Sequence, residues 1–555
     1  MKFHAGFGFL LFITSQMVFG QNFTEILGRP TNSSVTMSAL FDQPVEAFWE
    51  YGTSAGSYNL NTSTFVTVSD TAIEVDFLNL ATDTKYFYRT RYRPIGTTAA
   101  FSVGPERTFH TQRSPGSAFS FAVEADPHLD TNSIGEAYVL TLQNVLAKSP
   151  DFLIDLGDIF MSEKLAVKTQ ANITARHLLY RPYLGAVCHS APLYLVIGNH
   201  EGENGWVLNG TPDCLPVMAT NTRKLFYPNP YPNSFYSGNT TAENFVGLRE
   251  NYYSWEWGNA LFLVLDPYWF TTAKPDWGWT LGEEQYNWFK NVITSSGAKF
   301  KFVFCHQLVG GKGNDARGGS EFAGFFENGG ENADSTWGFD TNRPGWGKPI
   351  HYLMVENNAN IYFHGHDHCY AKQDKDGIVY QEVPQPSSRN ITNFVGSQYG
   401  YVNGILLPSR GFLLVTVSDS TATVDYIKTY LPNEITGTHT NGETAYSYTI
   451  RSTVTGGEEK NEIAGTFQLE QNYPNPFTSE TGIRYTIPAA ANVQIKVFDL
   501  PGREIMTVVD QYQQPGTYTV SLNSAKLSSN GGIYYYRMIV GNYSKTMKMI
   551  CVRKD

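Results

Sequence analysis

Apolar and polar positions alternate along the first part of the chain with the two-residue period of β-strands. Between residues 24 and 113, segments such as SSVTMSALF and TKYFYRTRYR show this alternation between turn residues. From residue 117 the pattern changes, because short continuous apolar runs are interspersed with helical stretches such as IGEAYVLTLQNVLAKS. The two-residue period returns after residue 467. The pattern predicts a multi-domain protein with an N-terminal β-sandwich, a central α/β sandwich and a small C-terminal β-sandwich.

Five of the apolar runs in the central part read as buried strands that end in polar clusters. In open α/β sheets the carboxyl ends of neighbouring strands converge on one crevice, so the clusters are expected to meet in space. A lone Gly-Asp or Asn-His after a strand is usually a turn, and the interpretation depends on all five clusters occurring together. They are Asp126-Pro127-His128, Gly157-Asp158, Gly198-Asn199-His200-Glu201, His306 and Gly365-His366-Asp367-His368.

The residue types in these clusters are those of a two-metal phosphoesterase centre. Two metal ions about 3.5–4 Å apart clamp a phosphoryl group and activate a water molecule for in-line attack. Cations so close together need an anionic bridge, for which Asp158 is the natural candidate. Imidazole and carboxylate ligands suit Zn, Fe, Mn or Co, and the clusters' ligand positions contain no cysteine, which argues against a structural zinc site. His200 follows the ligand Asn199 and is interpreted as an acid or charge stabiliser that faces the substrate.

The five clusters match in full the signature D-x-H … G-D … G-N-H-[DE] … H … G-H-x-H, so the chain resembles calcineurin-like metallophosphoesterases. The resemblance implies two metal ions (Fe, Zn or Mn), a bridge at Asp158 and a catalytic role for Asn199 and His200. The ligands implied for the first metal are Asp126, His128, His368 and the shared Asp158. The ligands implied for the second are Asn199, His306, His366 and the shared Asp158.

The N-terminal part resembles a fibronectin type III module. Residues 78–86 resemble the module's L-x-x-L-x-x-x-T-x-Y corner, in which a tyrosine anchors the turn. Such a module precedes the catalytic domain in purple acid phosphatases, which the chain therefore resembles in layout. Their first motif usually lacks the histidine found here at His128, and Met161 occupies the position of their iron-binding tyrosine. We therefore expect no tyrosinate-to-iron charge transfer. The module is either a lid beside the site or a spacer.

Two long insertions follow the catalytic clusters, at about residues 202–250 and 310–349. Loops of this length in a compact domain are usually functional or disordered, and their position after strand ends favours a substrate-facing rim. Arg317 and Arg343 in the second insertion are candidates to bind a phosphate oxygen or a leaving group. The alternative for each arginine is a structural salt bridge or a solvated charge.

The two ends of the chain indicate export. Lys2 precedes the apolar stretch FGFLLFITSQMVF, and Val18-Phe19-Gly20 fits a cleavage site, so residues 1–20 are predicted to be a signal peptide. At the other end, Asn472-Tyr473-Pro474-Asn475-Pro476-Phe477 is the hallmark of type A sorting domains of the type IX secretion system, which residues 467–555 resemble. The resemblance implies a Gram-negative bacterial protein, recognised by that secretion machinery and secreted or attached to the cell surface. The alternative is an ordinary carbohydrate-binding β-sandwich.

Length and charge narrow the classes of function. At 555 residues the chain is too long for one core, and its net charge of −11 argues against nucleic acid as a partner bound along its phosphate backbone, so no nucleic-acid partner is expected. No segment after the signal peptide is apolar and long enough to cross a membrane, so no transmembrane segment is expected. The predicted divisions are residues 1–20, a signal peptide; 24–113, fibronectin type III-like; 117–452, metallophosphoesterase; 453–466, a linker; and 467–555, the sorting domain.

The predicted function is that of a secreted binuclear-metal phosphoesterase, which hydrolyses small phosphate esters by metal-activated hydroxide. A phosphomonoesterase of the acid phosphatase type is favoured. A phosphodiesterase or nucleotidase would use the same metal centre, so the motifs leave both open. A non-catalytic surface binding protein is a third class, and the intact ligand set argues against it.

Overall fold

The computed structural model describes residues 23–452, 467–488, 490–513, 516–527, 531–541 and 543–552. The predicted signal peptide and linker lie outside the described residues. The chain divides into two units, Met1–Thr455 and Gly456–Asp555. Within the described residues, no helix combines the length and the apolar composition that a bilayer crossing requires.

Two large sheets form the centre of the first unit. The nine-stranded sheet has the order Thr444–Arg451, Thr421–Lys428, Gly411–Val417, Phe119–Glu124, Phe152–Asp155, Leu193–Leu195, Phe23–Gly28, Val35–Phe41 and Ile73–Phe77. The eight-stranded sheet has the order Ser237–Gly238, Tyr253–Trp257, Ala260–Val264, Phe300–Phe304, Ile361–His364, Ile378–Glu382, Tyr370–Lys375 and Ile405–Leu407. Parallel pairs lie in the middle of each sheet, for example Phe121 with Phe152 and Phe302 with Ile361.

An aromatic core joins the facing surfaces of the two sheets. The Phe121 ring of the first sheet lies 5.2 Å from Phe262 and 5.6 Å from Phe302 of the second, between ring centroids. These strands are also covered on their outer faces, so both sides of each strand are buried. Burial on two faces explains why the strands appear in the sequence as continuous apolar runs instead of alternating ones.

Helices cover the outer face of each sheet. Tyr138 and Leu142 of the first helix pack with Ala122 and Leu153 of the nine-stranded sheet. The helices on that side are Gly135–Lys148, Gln170–Cys188 and Leu215–Phe226. Those on the side of the eight-stranded sheet are Glu283–Ser295, Phe326–Gly329, Phe339–Asn342 and Ile350–Glu356. Short 3-10 turns occur at Ser162–Lys164, Gly205–Val207, Asp276–Gly278, Gly396–Tyr399 and Pro432–Glu434. The predicted α/β sandwich is confirmed.

The N-terminal β-sandwich shares one sheet with the central sandwich. Gly28 pairs in parallel with Leu193, so three N-terminal strands extend the nine-stranded sheet. They face a second sheet across a core that contains Trp49, Phe77 and Tyr88. That sheet comprises Val45–Gly52, Leu60–Asn61, Phe65–Val66, Lys85–Pro94, Ser102–Val103 and Arg107–His110. A further two-stranded hairpin, Ala242–Glu243 and Gly247–Leu248, lies in the first long insertion.

The second unit contains the predicted C-terminal β domain. Its two sheets enclose one core, in which Ile483 and Tyr485 pack with Ile495 and Tyr536. The smaller sheet comprises Gln468–Leu469, Glu480–Ile487 and Gly516–Asn523. The larger has the order Glu504–Gln513, Ala491–Asp499, Gly532–Val540 and Tyr543–Cys551, and a 3-10 turn lies at Ser524–Lys526.

Candidate metal centre

Each of the five polar clusters follows a strand of the two central sheets, and the clusters meet where the sheets face each other. The loops are joined by backbone hydrogen bonds, from Asp126 N–H to the Gly157 carbonyl (3.0 Å) and from Gly365 N–H to the His306 carbonyl (2.9 Å). The turn at Gly157 requires glycine, since its φ is 98° and a Cβ there would lie 2.4 Å from Gly198 N. Strand ends and glycine turns therefore hold the clusters together.

The first group of potential metal ligands comprises Asp126, His128 and His368, whose ligand atoms lie within 4.8 Å of one another. Asp126 Oδ1 is 3.6 Å from His128 Nε2 and 3.5 Å from His368 Nε2. The other Asp126 oxygen accepts a hydrogen bond from His366 N–H (2.8 Å). Asp126 Oδ1 and His128 Nε2 are buried without a hydrogen-bond partner among the described residues. Orphaned buried ligand atoms of this kind fit a bound cation.

The second group comprises Asp158, His306 and His366 and satisfies the same 4.8 Å limit. His306 Nδ1 donates to the Leu156 carbonyl and His366 Nε2 donates to the Asp315 carbonyl, both at 2.8 Å. Because carbonyls only accept, these bonds leave lone pairs on His306 Nε2 and His366 Nδ1 in the neutral rings. Those two nitrogens face each other at 3.2 Å. A cation between them removes the repulsion, so this group also fits a metal.

Asp158 lies between the two groups. Its Oδ2 is 3.5 Å from His128 Nε2 of the first group and 3.3 Å from His306 Nε2 of the second. Its Oδ1 accepts a hydrogen bond from His200 N–H (2.7 Å). Burial opposes ionisation, but His306 and His200 hold the pKa of Asp158 well below its ordinary value. One ionised carboxylate therefore reaches both groups. Asn199 Oδ1 lies 3.1 Å from His306 Nε2, beside the second group.

His200 lies beside the two groups and pairs with Glu163, a residue that the sequence analysis did not single out. His200 Nδ1 donates to Glu163 Oε2 (3.0 Å), and its Nε2 is 3.8 Å from Asp158 Oδ2. The Glu163 N–H also donates to the His200 carbonyl (3.1 Å). The hydrogen bond from His200 lowers the pKa of Glu163 to about 2. The available sequence signal was an acidic residue in the loop that follows Asp158.

Glu201 holds the loop that carries the shared aspartate. Its buried carboxylate accepts backbone hydrogen bonds from Gly198 (2.5 Å), Asp158 (2.8 Å), Ile159 (2.7 Å) and Phe160 (3.3 Å). Charged acceptors of several backbone N–H groups fix a turn strongly. Glu201, the last position of the Gly-Asn-His-Glu cluster, therefore positions Asp158 and lies outside both ligand groups.

The two arginines of the second insertion lie in different surroundings. Arg317 Nη1 donates to the His366 carbonyl (2.8 Å) and to Asp367 Oδ1 (2.9 Å), so it contacts the loop of the second group. Arg343 is paired with Glu327 and donates to the carbonyls of Trp277 and Trp279 at 2.8 and 3.1 Å. Among the described residues, Arg343 therefore takes part in a structural salt bridge. A phosphate-binding role for either arginine stays a prediction.

Comparison with known proteins agrees with this geometry. The calcineurin-like phosphoesterase family model matches residues 119–370, and the secretion system C-terminal sorting domain matches residues 471–553. A structure of PhoD superposes with a TM-score of 0.56 at 15% identity, covering 77% of this chain and 90% of that chain. Purple acid phosphatase PPD1 from yellow lupin gives a TM-score of 0.49 at 14% identity, covering 79% and 77%.

No curated protein matches the chain. The likeness to PhoD shows a shared fold, whereas the family model covers the strands, loops and clusters that make up both ligand groups. The chain is therefore a metal-dependent phosphoric ester hydrolase, in which residues 119–370 match the calcineurin-like phosphoesterase model and residues 471–553 match the secretion system C-terminal sorting domain.

Proposed function

We propose that the chain is a binuclear-metal phosphomonoesterase. The observation that carries the binuclear part of the proposal is the position of Asp158, whose Oδ2 lies within 3.5 Å of one histidine of each ligand group. Two ligand groups that share one carboxylate suit a closely spaced metal pair, which supplies Lewis-acid activation of the phosphoryl group and of water when bound. The donor types suit Fe, Zn or Mn.

The proposed ligand sets follow the two groups. Asp126, His128 and His368 would hold one metal and Asn199, His306 and His366 the other, with Asp158 shared. The orphaned Asp126 Oδ1 and the facing nitrogens of His306 and His366 support these sets.

His200 is the proposed general acid. Its Nδ1 is bound to Glu163, so the ring is oriented with Nε2 towards Asp158 and the space between the two ligand groups. A protonated Nε2 at that position would donate to the leaving alcohol oxygen, while the Asn199 amide would stabilise charge on the phosphoryl group. The proton would leave Nε2 as the ester bond breaks.

We also propose the route and divisions of the chain. The sorting domain supports type IX secretion, with export or surface attachment. A signal peptide at residues 1–20 and a Gram-negative source complete this proposal, since type IX export requires both. Residues 24–113 are proposed as the fibronectin type III-like domain, where the Tyr86 hydroxyl accepts a hydrogen bond from Ala81 N–H (2.8 Å). Residues 117–452 form the catalytic domain, 453–466 the linker and 467–555 the sorting domain.

The proposal is tested by metal analysis and by a pair of substrates. The purified chain would be analysed for metal and assayed on an aryl phosphate monoester and the corresponding diester. We expect two metals per chain and a preference for the monoester. A preference for the diester would assign a phosphodiesterase instead. Metal-free protein that no divalent ion activates would indicate a binding protein.

Two variants connect this test to the site. Asp158→Ala should lose at least one metal, because it removes the carboxylate that reaches both groups. His200→Ala should keep both metals and lose about 10²–10⁴-fold in kcat. Full metal occupancy and activity in Asp158→Ala would contradict the shared-carboxylate assignment, and metal loss in His200→Ala would make His200 a ligand.

A further inference from the structure

Lys274 is held against two tryptophans beside the second ligand group. Its Nζ lies 4.3 Å from the ring centroid of Trp206 and 5.1 Å from that of Trp279. The two indoles pack edge to face at 5.6 Å, and the Lys274 side chain remains 28% exposed. Cation–π contact with two rings restricts the long side chain and fixes the position of its charge.

One line of contacts connects Lys274 to His366. The ammonium lies 3.7 Å from Asp315 Oδ1, and the Asp315 carbonyl accepts the hydrogen bond from His366 Nε2 (2.8 Å). The loop that positions His366 therefore passes directly beside the Lys274 ammonium.

A second line connects Lys274 to His306 through the tyrosine between them. The centroid of the Tyr268 ring lies 6.2 Å from that of Trp206 and 6.1 Å from that of Trp279, and these are the two rings that the Lys274 ammonium contacts. On its other side Tyr268 lies 6.2 Å from the His306 ring. Since the facing nitrogens of His306 and His366 are 3.2 Å apart, both lines of contact end at the same group. Lys274 is therefore separated from His366 by Asp315, and from His306 by the two tryptophans and Tyr268.

The Lys274 ammonium has donors available for a ligand. Its 3.7 Å separation from Asp315 exceeds hydrogen-bond length, and its Nζ makes no hydrogen bond to any described residue. Arg317, the other cation beside this group, already donates to the His366 carbonyl and to Asp367. A lysine with unused donors near a group of potential metal ligands is suited to phosphate oxygens, which it binds as a point charge.

We propose that Lys274 binds the phosphoryl oxygens of the substrate and makes the site prefer phosphomonoesters to phosphodiesters. This inference rests on the proposed phosphomonoesterase function and adds the residue that determines substrate class. A phosphomonoester is largely dianionic near neutral pH, whereas a diester carries one negative charge. The electrostatic attraction between a fixed ammonium and a ligand grows with the negative charge of the ligand. Removing Lys274 should therefore weaken binding of the monoester more than binding of the diester.

The test compares Lys274→Met, Lys274→Arg and a control, Lys348→Met. Methionine keeps an apolar stem against the tryptophans, and arginine keeps the charge. Lys348 is an exposed lysine paired with Glu356, so the control removes one positive charge elsewhere on the surface. The measurements are metal content, kcat/KM on aryl phosphate mono- and diesters, and the dissociation constant of inorganic phosphate with the metal-loaded protein.

We expect Lys274→Met to keep its metals and to lose about 10–100-fold in kcat/KM for the monoester, the size of one charge-assisted hydrogen bond. The diester should lose less than about threefold, and inorganic phosphate should bind about tenfold or more weakly. Lys274→Arg should retain most of both properties, and Lys348→Met should match the wild type.

Equal losses on both esters, or unchanged phosphate binding in Lys274→Met, would overturn the inference. The phosphate titration separates it from the proposed function. If the wild type prefers diesters or hydrolyses neither ester, phosphomonoesterase function fails, and a role for Lys274 in determining substrate class fails with it. In that case, weaker phosphate binding in Lys274→Met would show only that Lys274 contacts the anion. If the wild type prefers monoesters and Lys274→Met does so equally, only the inference about Lys274 fails.

Discussion

Replacing Glu163 by glutamine should slow the reaction without removing metal. The carboxylate accepts a hydrogen bond from His200 Nδ1 at 3.0 Å and belongs to neither ligand group. Glutamine has nearly the same shape but no charge, so the variant removes the negative charge to which His200 Nδ1 donates. The Glu163 N–H would still donate to the His200 carbonyl, which keeps the loop in place.

The expected magnitude follows from the geometry and the exposure of the pair. A hydrogen bond to a charged partner contributes about 1.5–3 kcal/mol. The Glu163 side chain is 36% exposed, and water screens the pair, so about 1–2 kcal/mol is a better estimate. At a tenfold change per 1.4 kcal/mol, kcat should fall by about 5–30-fold, less than the loss on removing His200 itself.

The assay uses aryl and alkyl phosphate monoesters whose leaving alcohols differ in basicity. If Glu163 acts through a general acid, the loss in Glu163→Gln should grow as the leaving alcohol becomes more basic, since such alcohols depend more on protonation. In the His200→Ala background the same change should have an effect of less than about twofold. A further loss in that background, or an equal loss for all leaving groups, would refute a role through His200.

Further predictions concern the two arginines of the second insertion, the stability at acid pH and the removal of the C-terminal unit. Arg317→Ala should lower kcat/KM and weaken binding of the second metal, because it removes the hydrogen bonds to the His366 carbonyl and to Asp367. Arg343→Ala should mainly lower the melting temperature, because it removes the salt bridge to Glu327. Metal titration and calorimetry distinguish the two effects. At about pH 5 there should be a stability difference between wild type and Glu163→Gln, because the Glu163 carboxylate is ionised there. It should disappear as the pH falls from about 4.5 towards about 2, because the folded pKa lies below the unfolded one; denaturant melts measure it. A chain ending at Thr455 should retain its metals and activity, since the tail forms a separate unit, and loss of either on truncation would contradict this.

The fold class, and which polar clusters lie close enough together to form potential ligand groups, could be predicted because their signals lie in neighbouring residues. Continuous apolar runs mark strands buried on both faces, and a polar cluster after each run marks the sheet edge. Such local patterns can be recognised in the sequence regardless of the conformation of the insertions.

Tertiary structure alone decided how distant segments combine. The pairing of Glu163 with His200, the ion pair of Lys274 with Asp315 and the bond from His366 to the Asp315 carbonyl join residues that lie tens of positions apart. Arg317 and Arg343 look alike in the sequence, yet one contacts the His366 loop and the other is bound within its own insertion. The parallel strand pairing of Gly28 with Leu193 likewise has no signal in the residues next to either position. Long loops have many conformations of similar energy, so contacts made after the whole chain has packed select among them.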